Sequence, residues 1–432
     1  MQDWVRPPEV EIKPPVRPRL RDVLGPGLIT GASDDDPSGI ATYSQAGAQY
    51  GYALGWTLLL TYPLMCAIQL ISAQIGRVTG HGLAGNMRRH FPKPLLYALV
   101  GLLVVANTIN IGADLGAMAA ALHLLVAGPI ALYIAGFAIV TVLLEVFMRY
   151  SRYASVLRYL TLSLFAYVAT VFVVGVPWPT VARNLVLPHI DFSGDYFTVV
   201  VAVFGTTISP YLFFWQAGEE VEDTKEDAAT EPLLQAPDQA PRQMARMQLD
   251  TLVGMGLSNI IALFIMLTTA ATLHAHHITN IETSSQAAEA LRPIAGRFAF
   301  TVFALGIIGT GMLALPVLAG SAAYAVGEAA NLRVGLAQRV GRARTFYITI
   351  AVATFVGAMV NFSGLDPIKA LFWSAVINGV TAVPIMAMIM LLGMRRGVMG
   401  QFTLSPTLTG LGWLSTAVMG AAAVGMFATW GN

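Results

Sequence analysis

Cysteine is almost missing from this chain: Cys66 is the only one in 432 residues, and it lies in an apolar run. A lone thiol excludes an internal disulfide and any metal cage built from cysteines. Charge is scarce too, at 11% Asp, Glu, Lys and Arg, against roughly 25% in a soluble globular domain. That scarcity excludes a large soluble domain. Neither sign dominates, since the formal net charge is +1, so no nucleic-acid or other polyanionic partner is predicted. Residues 1–21 hold five lysines and arginines and several prolines but no apolar core, as expected of a cytoplasmic tail and not of a cleavable signal.

What the chain has instead is apolar length. Hydrophobic residues make up 56% of it and the mean hydropathy is +0.65, while about 20 apolar residues suffice for one helical membrane span. Segments of that kind run at about 23–49, 54–75, 95–126, 129–147, 154–176 and 196–217, then 249–274, 298–325, 346–361, 368–392 and 408–429. These eleven predict an all-α protein whose surroundings are the lipid bilayer. Basic residues test the count, because lysine and arginine of short loops stay on the cytoplasmic side. With the amino-terminal end inside, only Arg183, Arg292, Arg297 and Lys369 of the 25 lysines and arginines fall outside. A missed span would invert this bias downstream of the error. The expected layout is a multi-pass plasma-membrane protein with a cytoplasmic tail 1–21, a five-helix unit 22–178, a second 179–393, and a loop and eleventh helix 394–432 whose end faces outward. Nothing in the sequence implies an oligomer.

Polar segments are few. "GEEVEDTKEDAATEPLLQAPDQAPRQ", 218–243, reads as a solvated, partly disordered cytoplasmic loop between spans six and seven. "SSQAAEALRPIAG", 284–296, reads as a short external amphipathic helix, and "HAHH", 274–277, as surface histidines at a membrane edge and not a metal site.

Two spans carry helix-breaking sequence at mid-membrane. Non-helical backbone at that depth is tolerated only where it is buried in protein or lines a cavity. In span one, "SDDDPSG" at 33–39 places Pro37, which has no N–H and disfavours helix at the preceding residue, beside Ser38 and Gly39. In span six, "FGTTISPYLFF" at 204–214 repeats the design with Gly205, two threonines and Ser209-Pro210. Spans one and six lead the two five-span units. Interrupted helices at corresponding positions of two halves are the best sequence pointer to a secondary-transporter site, and an odd number of spans per unit makes the second half insert upside down.

Charge then sets the chemistry. A carboxylate at the bilayer centre costs at least about 2.5 kcal/mol on insertion scales, and neither span one nor span six has a basic residue at its break. A cation from outside is the natural partner. Asp36 adjoins the break, where unwound carbonyls add oxygen ligands, and the second break offers Thr206, Thr207 and Ser209 but no Met or Cys. Such an oxygen site suits magnesium, manganese or calcium, whereas thioether or thiolate suits softer metals. Short side chains leave room for an ion that keeps several waters, as magnesium does.

The sequence resembles the natural resistance-associated macrophage proteins (Nramp), divalent metal transporters with the LeuT fold: two inverted five-helix repeats plus an eleventh helix, helices 1 and 6 broken at mid-membrane. The most specific stretch is "DPSGIATYSQAGAQYGYALGW", 36–56, which corresponds to the family's DPGN signature and the AGA-x-x-G-Y-x-x-x-W run after it. "GTTISPY", 205–211, falls where the family has G-A-x-x-M-P-H, and weaker similarity lies in "AAALHLL", 119–125, and in the stretch from "AEALRPIAG" through "FALGIIGTG". The resemblance implies that the metal-binding aspartate is Asp36, that the family's asparagine becomes Gly39, its carbonyl-donating alanine Thr206 and its methionine Ser209. The histidine linked with proton transfer becomes Tyr211, and an acidic pair of the proton route is reduced to Asp114, with Asn110 or Ile111 at the other place. This pattern is similar to the Nramp-related magnesium transporters, which take up a largely hydrated ion.

Further polar residues complete the expectation. Asn107, Asn110 and Asp114 share one face of span three and either line the ion pathway or bond neighbouring helices. Asn378 in span ten either orients water around the ion or makes an interhelical hydrogen bond. Glu145 near the end of span four reads as interfacial. Asp34 and Asp35 cannot both stand beside Asp36 as bare charges without a shared cation; one lines the aqueous vestibule, or either caps the broken helix. The expected function is alternating-access uptake of hydrated magnesium, with manganese also possible, no cofactor and no obligatory proton coupling. Spans one and six would rock against spans three, four, eight and nine. The alternatives are a proton-coupled manganese or iron symporter, a sodium-coupled amino-acid transporter, whose anionic substrate "DDDP" would repel, and an intramembrane aspartyl protease, whose G-x-G-D context is missing.

Overall fold

The computed structural model describes residues 30–31, 33–147, 162–226, 229–336, 338, 340–364 and 366–430, with the backbone alone at 363. The expected tail 1–21, the first part of span one, and Arg149, Arg152 and Arg158 lie outside the described residues. Every regular element among the described residues is helical. Among the described residues, eight helical segments are long and apolar enough to cross a bilayer: Gly55–Thr79, Lys93–His123, Ile130–Phe147, Gly194–Glu226, Pro237–His276, Arg292–Ala329, Pro367–Gly393 and Pro406–Ala428. They are spans two, three, four, six, seven, eight, ten and eleven. The other three expected spans are shorter pieces. Span one has helical residues 30, 31, 33 and 34 and then Pro37–Tyr50, span five is described from Leu162 to Val173, and span nine is Arg344–Val360.

Packing follows a two-fold logic. The second half of span one, Pro37–Tyr50, lies mainly along span seven, and the second half of span six, Pro210–Glu226, mainly along span two. Spans three and eight, equivalent in the two units, pack on each other as extensively as any pair of spans among the described residues. Span eleven closes the outside of the bundle against spans six, ten and two.

Bilayer lipid offers helices no hydrophobic drive to associate, so close backbone approach at small residues has to hold them together. A Cβ at Gly205 of span six would run into the Ala375 carbonyl and Gly379 of span ten, and one at Gly47 into Thr269 and the Met266 carbonyl of span seven. The ends of spans two, six and seven are joined by a buried ionic network. Arg77 meets Asp223 at 3.0 Å and Glu220 at 3.6 Å, and Arg246 meets Glu220 at 2.6 Å.

That network changes the reading of 218–243. Its acid-rich start is not a solvated loop: it continues the helix of span six to Glu226, because Glu220 and Asp223 have arginines waiting for them. Beyond it, the Leu233 and Leu234 amides donate to the Arg77 and Val78 carbonyls at 3.1 and 3.2 Å, and Leu233 is fully buried. The segment expected outside does form a helix at Ser284–Glu289, closed by a reciprocal Thr283–Gln286 cap. In "HAHH", the rings of His274 and His276 turn to the backbone carbonyls of Ala48 and Thr272. The described residues contain no metal-binding group of His, Cys, Asp and Glu.

Gly205→Val should lower the melting temperature in detergent by the equivalent of about 1–3 kcal/mol, the usual cost of overpacking. Gly101→Ala, where nothing lies within 4 Å of an added Cβ, should melt like the parent or slightly higher.

Candidate functional site

Proline alone does not break these helices. Pro63, Pro316 and Pro384 sit inside continuous helices of spans two, eight and ten. At the two breaks a neighbouring side chain takes over the freed backbone groups. In span one, Asp36 is extended (φ −68°, ψ 170°) and caps the helix that Pro37 begins, its carboxylate accepting from the Gly39 amide at 2.7 Å. Pro at the first helical position is favoured because its missing N–H has no partner to lose there. In span six, the helix Gly194–Thr207 ends at Ile208, and the Ser209 hydroxyl lies 2.7 Å from the Gly205 carbonyl and 2.9 Å from that of Thr206. An acceptor thus caps an amino end in one span and a donor satisfies a carboxyl end in the other.

Asp36 is the hub. Oδ1 accepts from Ser38 at 2.6 Å as well as from Gly39, while Oδ2 accepts from Asn110 of span three at 3.1 Å and from Tyr211 of span six at 3.3 Å. An ionised carboxylate offers about four lone-pair directions, and here all are taken. Asn110 is itself held by Ser374 of span ten, whose hydroxyl donates to its amide oxygen at 2.6 Å. Four spans therefore converge on one carboxylate that is 1% exposed. Opposite it, Gly39 faces Thr206: a Cβ there would lie 3.3 Å from Thr206 Oγ1 and from the Tyr43 ring.

The two ends of the bundle differ. A cavity of about 650 Å³ is lined by Gln45, Gln49, Asp195, Thr198 and Asn280 on the side where the second half of span one ends. At the opposite, arginine-rich end, span eight is tied across to the others: Tyr324 donates to Glu222, and Glu328 accepts from the Gly82 and Gly85 amides at 3.0 Å each. Asp36, Gly39, Thr206 and Ser209 line neither this cavity nor a smaller one at the arginine-rich end.

The pattern of the natural resistance-associated macrophage protein-like family matches residues 27–429. The chain belongs to the Nramp family. The divalent metal cation transporter MntH of Aeromonas hydrophila is 26% identical over 411 residues, 94% of this chain and 95% of the relative. MntH of Yersinia pestis is 28% identical over 313 residues, 69% of this chain and 70% of the relative. In fold, the chain resembles a manganese transporter of Eremococcus coleocola in complex with an aromatic bis-isothiourea substituted compound. The TM-score is 0.71 at 17% identity, over 95% of this chain and 87% of that one. Mhp1, a nucleobase-cation-symport-1 family transporter in a closed conformation, is similar with a TM-score of 0.53 at 14% identity, over 94% of each chain. The fold is thus the LeuT type, two inverted five-helix repeats and an eleventh helix with helices 1 and 6 broken. The relatives are named as transporters and not as enzymes.

The residues singled out in this Nramp sequence separate into three groups. Asp36, Asn110 and Tyr211 are joined directly by hydrogen bonds, and Gly39 and Thr206 face each other beside them. A second group turns elsewhere. The Asn107 amide donates to the Leu318 carbonyl at 2.9 Å and to Ser321 at 2.8 Å, which makes it a bond between spans three and eight. Ser209 faces its own backbone. Asp34 and Asp35 line no vestibule: they are 1% and 6% exposed and share the Ser258 hydroxyl of span seven, at 2.6 and 3.1 Å. The room expected at Gly39 is also closed, because Thr206 and Tyr43 fill it. The third group is buried without partners among the described residues: both oxygens of Asp114, both polar atoms of Asn378 and, in span four, both oxygens of Glu145, which is 2% exposed and so not interfacial. Sequence reading missed Ser374 and Ser258, since a serine in an apolar helix carries no signal without its partner.

Asn110→Ala should weaken cation affinity by about tenfold, as expected for one lost hydrogen bond to a charged group, and Ser374→Ala by less. Competition of the cation against a fluorescent divalent reporter checks both.

Proposed function

We propose that the cargo of this divalent metal transporter is a hydrated magnesium ion, with manganese also accepted, and that it crosses by alternating access without obligatory proton coupling. The observation that carries the reading is the chemistry around Asp36 Oδ2: an amide from Asn110 and a phenol from Tyr211, with the Thr206 hydroxyl nearby and no sulfur at the span-six break. Oδ1 is fixed by its own helix, so Oδ2 is the oxygen free to exchange partners. Hydroxyls and amides are suited to holding the waters of a hard ion, whereas selection of softer metals calls for thioether or thiolate. The cavity of about 650 Å³ that precedes the site is wide enough to admit a hydrated ion, whose six waters at about 30 Å³ each need roughly 180 Å³.

Three points favour uptake without a proton. Tyr211 stands where the family's histidine is expected, and a phenol of ordinary pKa near 10 releases no proton at neutral pH. Asp114 has no acidic partner in span three. The driving force suffices, because a divalent cation gains about 4.6 kcal/mol per 100 mV on entering an inside-negative cell, twice the single-charge value. The bias of lysine and arginine supports a plasma-membrane orientation with the arginine-rich end cytoplasmic, so the large cavity is the outer vestibule of an outward-directed, occluded state.

Proteoliposomes given magnesium, manganese or calcium under an inside-negative potential test the proposal. Magnesium should enter with no change of internal pH, manganese should compete, and Asp36→Ala should reduce flux at least about tenfold. Manganese transport with no magnesium transport or competition overturns the selectivity, and stoichiometric acidification overturns the uncoupled mechanism.

A further inference from the structure

The net charge of the whole chain hides a strong local excess. At the arginine-rich end a cavity of about 370 Å³ is lined by His81, Arg88 and Arg89 from the segment after span two, Lys225 from the end of span six, and Arg333 after span eight. The one acid in its lining, Glu328, is engaged by the Gly82 and Gly85 amides. Among the described residues none of Arg88, Arg89, Lys225 or Arg333 forms an ion pair; Arg88 has only the neutral side-chain oxygen of Asn331. His81 reports the resulting potential, since burial and then the charges of Arg89 and Lys225 hold its pKa below the ordinary 6.5. A cluster of arginines around one half-open pocket presents forked donors matched to phosphate oxygens, and the volume falls at the low end of small-molecule sites. The same charge repels a divalent cation, so the cavity is not a station for the cargo.

Its position gives it a role. One wall belongs to spans two and six, which the Arg77–Glu220–Arg246 network locks together with span seven. The other wall is the end of span eight and the chain after it. The seam between these walls is the one held shut by Tyr324–Glu222 and by Glu328 on the Gly82 and Gly85 amides. We infer that this cavity binds a polyvalent phosphate-bearing anion, either a free oligophosphate or nucleotide or the headgroup of an anionic lipid, which bridges Arg88 to Arg333 and slows transport by holding this end closed. The binding site stands on its own geometry; the effect on transport rests on the alternating-access reading above.

The test uses the full chain and sodium triphosphate as probe. Calorimetric titration in metal-free buffer, with the protein in zwitterionic-lipid nanodiscs, should show binding that weakens about tenfold or more in Arg88→Gln/Arg333→Gln and declines as salt rises. Triphosphate trapped inside zwitterionic proteoliposomes should slow magnesium uptake by the parent severalfold and leave the double variant at or above its anion-free rate. Chelation of entering magnesium would act in the opposite direction. A second arm replaces triphosphate with an anionic phospholipid in the vesicle; slowing in this arm alone identifies a lipid headgroup as the ligand. Absence of effect in both arms, or an effect that the double variant retains, overturns the site. Binding accompanied by faster uptake overturns the latch, whereas binding by a chain that carries no divalent cation under any condition overturns the cargo proposal and leaves the site standing.

Discussion

A carboxylate kept dry at the centre of a bilayer constrains everything around it. Asp36 costs free energy wherever it is not fully partnered, and the protein meets that cost with one backbone amide and three side chains drawn from spans one, three and six. The helix break is part of the same solution, because Asp36 can accept from Gly39 only where the chain leaves helical geometry and starts again at Pro37. Span ten enters through Ser374 on Asn110. Removing the break would turn the Gly39 amide back into its own helix and take that donor from the carboxylate.

The two breaks solve one problem with opposite chemistry. Span one exposes an amino end and supplies a carboxylate, while span six exposes a carboxyl end and supplies a hydroxyl from Ser209. Ser209 thus has a local task, capping the carboxyl end of the first half of span six. Thr206 takes the space beside Gly39, so the two changes at these positions are packed against each other and form one unit.

Much of the architecture was legible because a bilayer imposes strong rules. Apolar length located the eight long spans, and the paired Pro-containing breaks pointed to the place where Asp36, Asn110 and Tyr211 meet, since unpaired backbone at membrane depth has few tolerated uses. Partnerships were less legible. Nothing in the sequence distinguishes Asn107, which bonds span eight, from Asn110, which bonds Asp36, although they lie one turn apart on the same face. The acid-rich run after Ala217 read as loop because composition reports solvation and not distant partners; Arg77, 143 residues before Glu220, makes it helix. The reading of Asp34 and Asp35, one at a vestibule or either as a helix cap, missed their partner for the same reason, since Ser258 lies far along the chain.

The central claim is that a hydrated divalent ion alone moves past Asp36. Its most direct test is the magnesium gradient at zero net flux in proteoliposomes, measured as a function of membrane potential and of an imposed pH difference. The account predicts a shift of about three decades in the gradient per 100 mV, the slope for two charges, with no response to pH difference. A steeper slope together with a gradient that follows the pH difference would contradict it.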